Sequence, residues 1–548
     1  MSGVLLRLRP IVHATPTATG LHVRGWRSSF TLDGGKGLWT IWERLAGPLA
    51  DGVPPARLAV PEHASPAVAR ALELLIGQLH EHDMLVEVPA EWGCDAPPED
   101  IASWLESVAP APVEAWRRLR SATVTVRGER ALAAYARRAL VAAGLEVAGP
   151  EAAGPEAAGP EAAEPEAPAP DALGPDAAEP EAAPVRSGPG LVLVAGEHAV
   201  AAGCAAEVGF VVAPGPLADV EADAAAVARR LAGAPGTAPE VLAALVGSAA
   251  AHRLVCAVGG LPDPSTEVVD MWSDVPPTGP PHQAVLVARV DPLHAEYHPW
   301  LSAVRPQEPN GSLLDVLGDR ELGPVPTPLP GDLPQLPVKL AASGDVVGFG
   351  TTEHAARLDA LLRAARELAP AGVLLGADRV HALGLALRTA VRRLPGTPVA
   401  EAEWAADPTA RRWWKAVTLR FALPASVEVT RLGPGVTRAV VRADGEELSW
   451  AVEAEPADAV AFAAMAAAGR AQAGVGGTVV LCGAAPFAEP DGAAAPWTNR
   501  DWHWPHGLRA GEEAFQDDLR ALAGEVKPVD LSPVLEAAGL VAFAEDGR

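Results

Sequence analysis

The sequence predicts an α/β protein in three parts: a small winged-helix-like module over 1–90, a doubly wound α/β domain over 110–300 and a further α/β domain over 305–548. Three observations predict it. Short β-branched runs precede two amphipathic helical patterns in the first 90 residues. A strand–helix–strand pattern at 122–147 is followed by wholly apolar strands at 191–194 and 208–213, as in a parallel sheet covered on both faces. Beyond the Pro-rich stretch 324–337, apolar strands alternate with Ala- and Leu-rich helices. A chain of 548 residues also exceeds one core at roughly 100–200 residues per domain.

In the first part, strands are predicted at 4–13 and 21–26 around a Thr/Gly turn, with a third at 28–32 ended by Asp33-Gly34-Gly35. Leu38, Ile41, Trp42, Leu45 and Leu49 recur at helical spacing, and Pro48 should distort that helix's last turn. Ser65-Pro66 is an N-cap and first-turn pair. It opens a helix whose buried stripe is Val68, Leu72, Leu75 and Leu79, and residues 84–86 return as a strand.

In the second part, a strand at 122–126, a helix at 128–141 and a strand from 144 form a β-α-β unit. It is interrupted by a GPEAA-type linker over 149–186, with nine acids between Glu151 and Glu181 and no base among them. Regular prolines break any helix there and like charges repel, so the sequence predicts a disordered, semi-extended tether. An apolar helix at 240–257 and a strand at 283–290 follow. The third part shows strands at 417–421, 438–442 and 478–482 and helices at 354–368, 380–393 and 458–473.

Composition excludes several functions. Lys plus Arg number 43 against 69 Asp plus Glu, a net charge of −26, which repels nucleic acid and anionic lipid. The four cysteines, Cys94, Cys204, Cys256 and Cys482, include no C-x-x-C pair, so neither a cysteine zinc site nor a disulfide framework is expected. The N-terminus carries arginines inside its apolar run, unlike a signal peptide, and no membrane span is predicted; a cytoplasmic protein is expected.

The chemistry-bearing motifs are incomplete. A dinucleotide fold needs glycines in its first β-α turn so that backbone can approach pyrophosphate. Here Arg127-Gly128-Glu129-Arg130-Ala131-Leu132-Ala133 keeps Gly128 alone of G-x-G-x-x-G. Ser343, Ser426 and Ser532 lack a nucleophile elbow. His503 and His506 lack nearby carboxylates and read as loop surface or interface. Asp315, Asp319 and Glu321 read as a solvated loop, and Trp404, Trp413 and Trp414 as core or an interface belt. No catalytic, cofactor-binding or metal residue is therefore expected.

The order of the degenerate turn, the crossover near Ala201, the helix containing Val246-Gly247-Ser248 and Ala250-Ala251-His252-Arg253, and the strand Ala284 to Asp291 resembles the ThiF-type, ubiquitin-activating-like domain. With the small first module, it resembles the ThiF-like partners of YcaO cyclodehydratases in thiopeptide and other azole-containing peptide biosynthesis. The third part resembles a degenerate YcaO scaffold in Gln335 to Val338, in the glycine turn Gly348-Phe349-Gly350 before Glu353, and in Val529 to Ser532 and Ala538 to Val541. Where that family carries S-x-x-x-E-x-x-E-R for magnesium and ATP, this sequence has Asp359, Arg363 and Arg366-Glu367. Arginine repels magnesium rather than ligating it.

The resemblance implies a non-catalytic subunit that takes no cofactor, binds a precursor's leader peptide and works with a YcaO-type cyclodehydratase, as a homodimer or hetero-oligomer. The alternative is an ATP-dependent peptide-modifying enzyme whose nucleotide site is unrecognised. In the PqqD-like element that the first module resembles, a leader adds a strand beside the third strand and lies against the third helix. On this sequence those positions are Ser28, Ser29, Phe30, Thr31 and Leu32 with Arg70, Leu74 and Gln78.

Overall fold

The structure, a computed structural model, describes residues 3–26, 28–58, 65–90, 92, 95–148, 190–231, 236–266, 283–305, 313–487 and 504–545. The acidic linker 149–186, Cys94 and His503 lie outside them. The chain forms two compact units, Met1–Tyr297 and His298–Arg548.

The first unit begins with β1 (Val4–Leu8), β2 (His13–Pro16), β3 (Gly20–Arg24) and β4 (Ser29–Asp33). Strand β1 does not continue to 13, as the sequence reading expected. A turn at Arg9–Val12 containing Pro10 breaks it in two, because proline lacks the N–H that a ladder needs. Helix α1 (Gly37–Asp51) keeps its helical form through Pro48, and α2 (Pro66–Glu81) is N-capped by Ser65, whose hydroxyl accepts from Val68 N. Strand β5 (Leu85–Pro89) pairs antiparallel with β1, while β2, β3 and β4 form a separate antiparallel sheet. Both helices pack Leu38, Trp42, Leu75 and Leu79 against Leu21, Val23, Phe30 and Leu32. Val68, expected on that buried stripe, is 44% exposed.

After α3 (Glu99–Val108) and α4 (Pro112–Ser121) come β6 (Thr123–Gly128), α5 (Arg130–Ala142) and β7 (Glu146–Val147), with β6 and β7 parallel. The β-α-β reading holds here. The rest of the sheet corrects the doubly wound expectation. Strands β8 (Leu191–Ala195), β9 (His198–Cys204), β10 (Val208–Val211) and β11 (Ala284–Val290) pair antiparallel in sequence, and β6 pairs antiparallel with β8. With β12 (Leu293–Pro299) the order is β12-β11-β10-β9-β8-β6-β7. The links β8–β9 and β9–β10 span only residues 196–197 and 205–207, too short for any parallel crossover. Helices α5 and α7 (Glu240–Gly259) pack against one another and α7 against the sheet, and α6 (Leu217–Arg230) packs on β9. Two-sided burial explains the wholly apolar strands whatever their direction.

Helix α7 is long and apolar enough to cross a membrane, and most of its apolar window is buried in this core. Its Arg253 is buried too. It donates to Val211 O and Ala284 O and grips Asp263 through two bonds of 2.9 and 3.0 Å, tying β10 to β11.

The second unit contains α8 (Leu313–Leu317), the hairpin β13 (Lys339–Ser343) and β14 (Val346–Gly350), α9 (Glu353–Ala365), β15 (Val373–Gly376) and α10 (Arg379–Val391). Then come β16 (Thr397–Pro398), α11 (Pro408–Lys415), β17 (Ala425–Gly433), β18 (Val436–Ala443), β19 (Glu446–Glu453), α12 (Pro456–Ala473) and β20 (Val479–Val480). Helix α13 (Trp504–Ala523), β21 (Pro528–Val529), α14 (Pro533–Ala537) and β22 (Val541–Ala544) complete it. Strands β16 to β20 make one sheet in order, and β15-β22-β21 another. Residues 417–421, expected as a strand, instead extend α11 as a π-helical turn at Ala416–Arg420. Val417 is buried there against the same core as Trp404 and Trp413, so those two tryptophans are core and not a surface belt.

Candidate functional site

The strand that the sequence singled out is the edge of its sheet: among the described residues β4 pairs with β3 only. Its alternation can be read from the bonds at each end. Gly25 N donates to Ser28 O and Gly34 N to Thr19 O, which fixes the pairs facing each other in the register Leu21↔Leu32 and Val23↔Phe30. Main-chain groups of Phe30 and Leu32 therefore point to β3. Those of Ser29, Thr31 and Asp33 point away from it. The side chains of Phe30 and Leu32 enter the core while Thr31 and Asp33 are exposed. Among the described residues no strand pairs with that outer edge.

The α2 residues are placed less tightly. Arg70 is exposed. Leu74 is 52% exposed and so is not core, while Gln78 is half-buried with its amide donating to Glu81. The link between α2 and β4 lies at the helix's C-terminal end: Ser28 Oγ donates to His82 O at 3.0 Å, and the Phe30 and His82 rings sit 5.1 Å apart. The described module places this helix second, not third, after β4. Trp26, in the β3–β4 turn and 46% exposed, stands at the same end. The sequence reading passed over it; an aromatic in the four-residue link 25–28 between short strands was the available signal.

The module is fastened through its first strand. Arg7 donates to both carboxylate oxygens of buried Glu106 at 2.7 and 2.8 Å. Arg9, itself buried, donates to Asp83 and to the carbonyls of Glu106 and Ala109 at the end of α3, where a cation suits the helix dipole.

The β6–α5 turn shows why Gly128 is glycine. Its φ is +135°, and a Cβ there would lie 2.2 Å from Gly190 O. Glu129 N, a donor that the turn would offer to a phosphate, instead donates to Gly190 O at 2.7 Å. The protein's own backbone occupies that approach. Titration with labelled ATP is accordingly expected to show no saturable binding at this turn. Binding abolished by substituting Glu129 would contradict that.

In the second unit the residues aligned with the ATP-binding pattern are paired internally. Arg363 donates to Asp359 at 2.8 Å and Asp359 also accepts from Phe349 N, while Arg366 meets Glu545 at 3.0 Å. Asp319 accepts from Glu321 N and Leu322 N and contacts His298, as a turn-former does. Trp504 donates to Asp458 and stacks on Phe462, with ring centroids 4.3 Å apart. Among the described residues no three His, Cys, Asp or Glu side chains are placed to share a metal ion.

A buried ion cluster went unread. Arg388 (α10) is fully buried between Glu453 (β19) and Glu512 (α13), bonded to them at 2.8 and 2.5 Å. Gln516 donates to Glu512, and Gly483 N to Glu453. A lone arginine in the apolar run Leu385-Ala386-Leu387-Arg388 was the available signal.

No protein-family model matches the chain, and no curated protein matches it. Among solved structures, it is similar to a heterocyclase in complex with substrate and cofactor at a TM-score of 0.47 and 11% identity, covering 98% of this chain and 94% of that one. The heterocyclase TruD gives 0.40 and 13%, with 99% and 94% coverage. E. coli MccB with AMPCPP and MccA gives 0.30 and 11%, covering 54% of this chain and 96% of that one. Similarity at this level assigns neither ligand nor reaction.

Proposed function

We propose that this chain captures the leader of a ribosomally made precursor peptide along β4 and presents the core to a separate YcaO-type enzyme, which cyclodehydrates Cys, Ser or Thr to azolines. The chain supplies binding and no catalytic group. The observation that carries this is the outer edge of β4, which no described strand pairs, with the N–H and C=O of Ser29, Thr31 and Asp33 directed away from β3. A row of such groups accepts an extended peptide by strand addition.

Magnitudes show what else is needed. Four or five added main-chain bonds contribute about 2–7 kcal/mol, whereas micromolar affinity needs about 8 kcal/mol beyond the cost of association. Apolar side chains of the leader must supply the remainder, and exposed Leu74 and Trp26 are the surfaces for them. Holding the leader makes the encounter of core and enzyme intramolecular, at an effective concentration on the order of millimolar for short tethers.

Fluorescence anisotropy of a labelled leader peptide encoded beside this gene tests the reading on the full chain. Leu74→Asp is expected to weaken binding about tenfold, or about 1.4 kcal/mol, with an unchanged thermal midpoint, since Leu74 is largely outside the core. Unaltered affinity would remove α2 from the site. Deleting residues 1–90 is a blunter test, because it also takes Arg7 from the buried Glu106 carboxylate.

A further inference from the structure

The second unit has a cleft of about 300 Å³, open to solvent on one side, between α9, α10 and β20, a size that suits a small molecule. Its walls combine apolar side chains, Leu362, Leu385, Trp450, Phe462 and Met465 among them, with polar and ionised ones. The ionised groups that reach it are already matched. Arg363 is bonded to Asp359, Arg366 to Glu545 and Arg392 to Glu447. Among the described residues no cation is left over to compensate the desolvation of an anion, and no carboxylate to compensate that of a cation.

The wall also holds His381. His381 is 7% exposed. Its Nδ1 accepts from Ala377 N at 3.3 Å, and its own amide donates to the Asp378 cap at 2.7 Å, so the ring is fixed at the start of α10. With Nδ1 an acceptor, the proton of the neutral ring resides on Nε2, which has no hydrogen-bond partner among the described residues. Burial pushes the imidazole down to about 4, so at neutral pH it offers a single uncharged donor.

We infer that this cavity binds an uncharged, mainly apolar ring that presents one hydrogen-bond acceptor to His381 Nε2 and packs against Trp450 and Phe462. The ligand class follows from the cavity itself. Its source, an azoline or azole ring of the modified core with its nitrogen as acceptor, rests on the function proposed above.

Calorimetric titration of the full chain with 2-phenylthiazole tests the site. The control, 2-phenylthiophene, has the same shape without the ring nitrogen. The thiazole is expected to bind about tenfold more tightly than the thiophene. His381→Phe should erase that preference, His381→Gln should retain part of it through its amide donor, and Leu385→Trp should fill the cavity and abolish both interactions. 2-Phenylthiazole-4-carboxylate should bind more weakly than the neutral compound. Equal affinity for thiazole and thiophene, tighter binding of the carboxylate, or binding that survives Leu385→Trp in a folded protein would overturn the inference. Thr31→Pro, on the β4 edge, should leave thiazole binding unchanged, so failure at this cavity is readable separately from failure of leader capture.

Discussion

Replacing Thr31 with proline is expected to reduce leader affinity at least tenfold while leaving the protein folded. The N–H of Thr31 points away from β3, so proline removes no bond of the existing sheet, and edge strands tolerate it on that side. For an incoming strand the change is severe. One donor is lost and the ring stands where the partner backbone must approach, so bonds at Ser29 and Asp33 suffer as well. Loss of even one or two such bonds corresponds to about 1–3 kcal/mol. Thr31→Ala controls for the contact between Thr31 Oγ1 and His22 Nδ1 and should bind normally. Phe30→Pro is the opposite case: it breaks a β3–β4 bond and removes a buried ring, so the module itself should unfold. Anisotropy combined with circular dichroism distinguishes the three. Leader binding by a folded Thr31→Pro protein at wild-type strength would exclude strand addition at β4.

The largest effect on stability is expected at Arg388. Arg388→Met leaves Glu453 and Glu512 buried without their cation, a change that typically costs about 3–5 kcal/mol. In a unit of this size that lowers the thermal midpoint on the order of 10 °C. Replacing all three charged residues with apolar ones should restore much of the loss, because a whole buried cluster is often exchanged at little cost. One guanidinium serves two carboxylates, and burial, with the Glu512 charge adding to it, pushes Glu453 up to about 7 despite Arg388.

The sign of the pH effect follows. The folded state holds the Glu453 proton more tightly than the unfolded chain, so its contribution to stability is full below about pH 4.5 and is lost as pH rises through about 7. His381 acts in the other direction, being depressed to about 4 from 6.5, and its contribution is lost as pH falls through that range. Glu453→Gln removes only the first effect. Its stability should therefore rise relative to wild type between pH 5 and 8. Denaturation curves that stay parallel over this interval would rule out the assignment.

Much of the local structure was legible in the residues. Ser65-Pro66 starts α2 because a hydroxyl cap and a preset φ meet the needs of a first helical turn. Asp33-Gly34-Gly35 ends β4, and the β-branched run after Ala122 gives β6 and the parallel β-α-β unit. Less legible was β9, whose Ala-rich sequence has little β-branching and whose two short links determined the antiparallel course. The candidate edge was legible as a short strand, but its free side was not, since pairing is a property of neighbours.

By itself the sequence determined where elements start and stop, which faces are apolar, and that the β-α turn lacks its phosphate-binding glycines. These depend on contacts within a turn or two of chain, which period, capping and φ preference encode directly. Only the tertiary structure decided strand direction, the alternation that turns Ser29, Thr31 and Asp33 outward, the burial of Arg388 between two distant acids, and the place of His381 in the cleft wall. Each of these depends on which elements come to lie beside one another, and that is set by how whole layers pack.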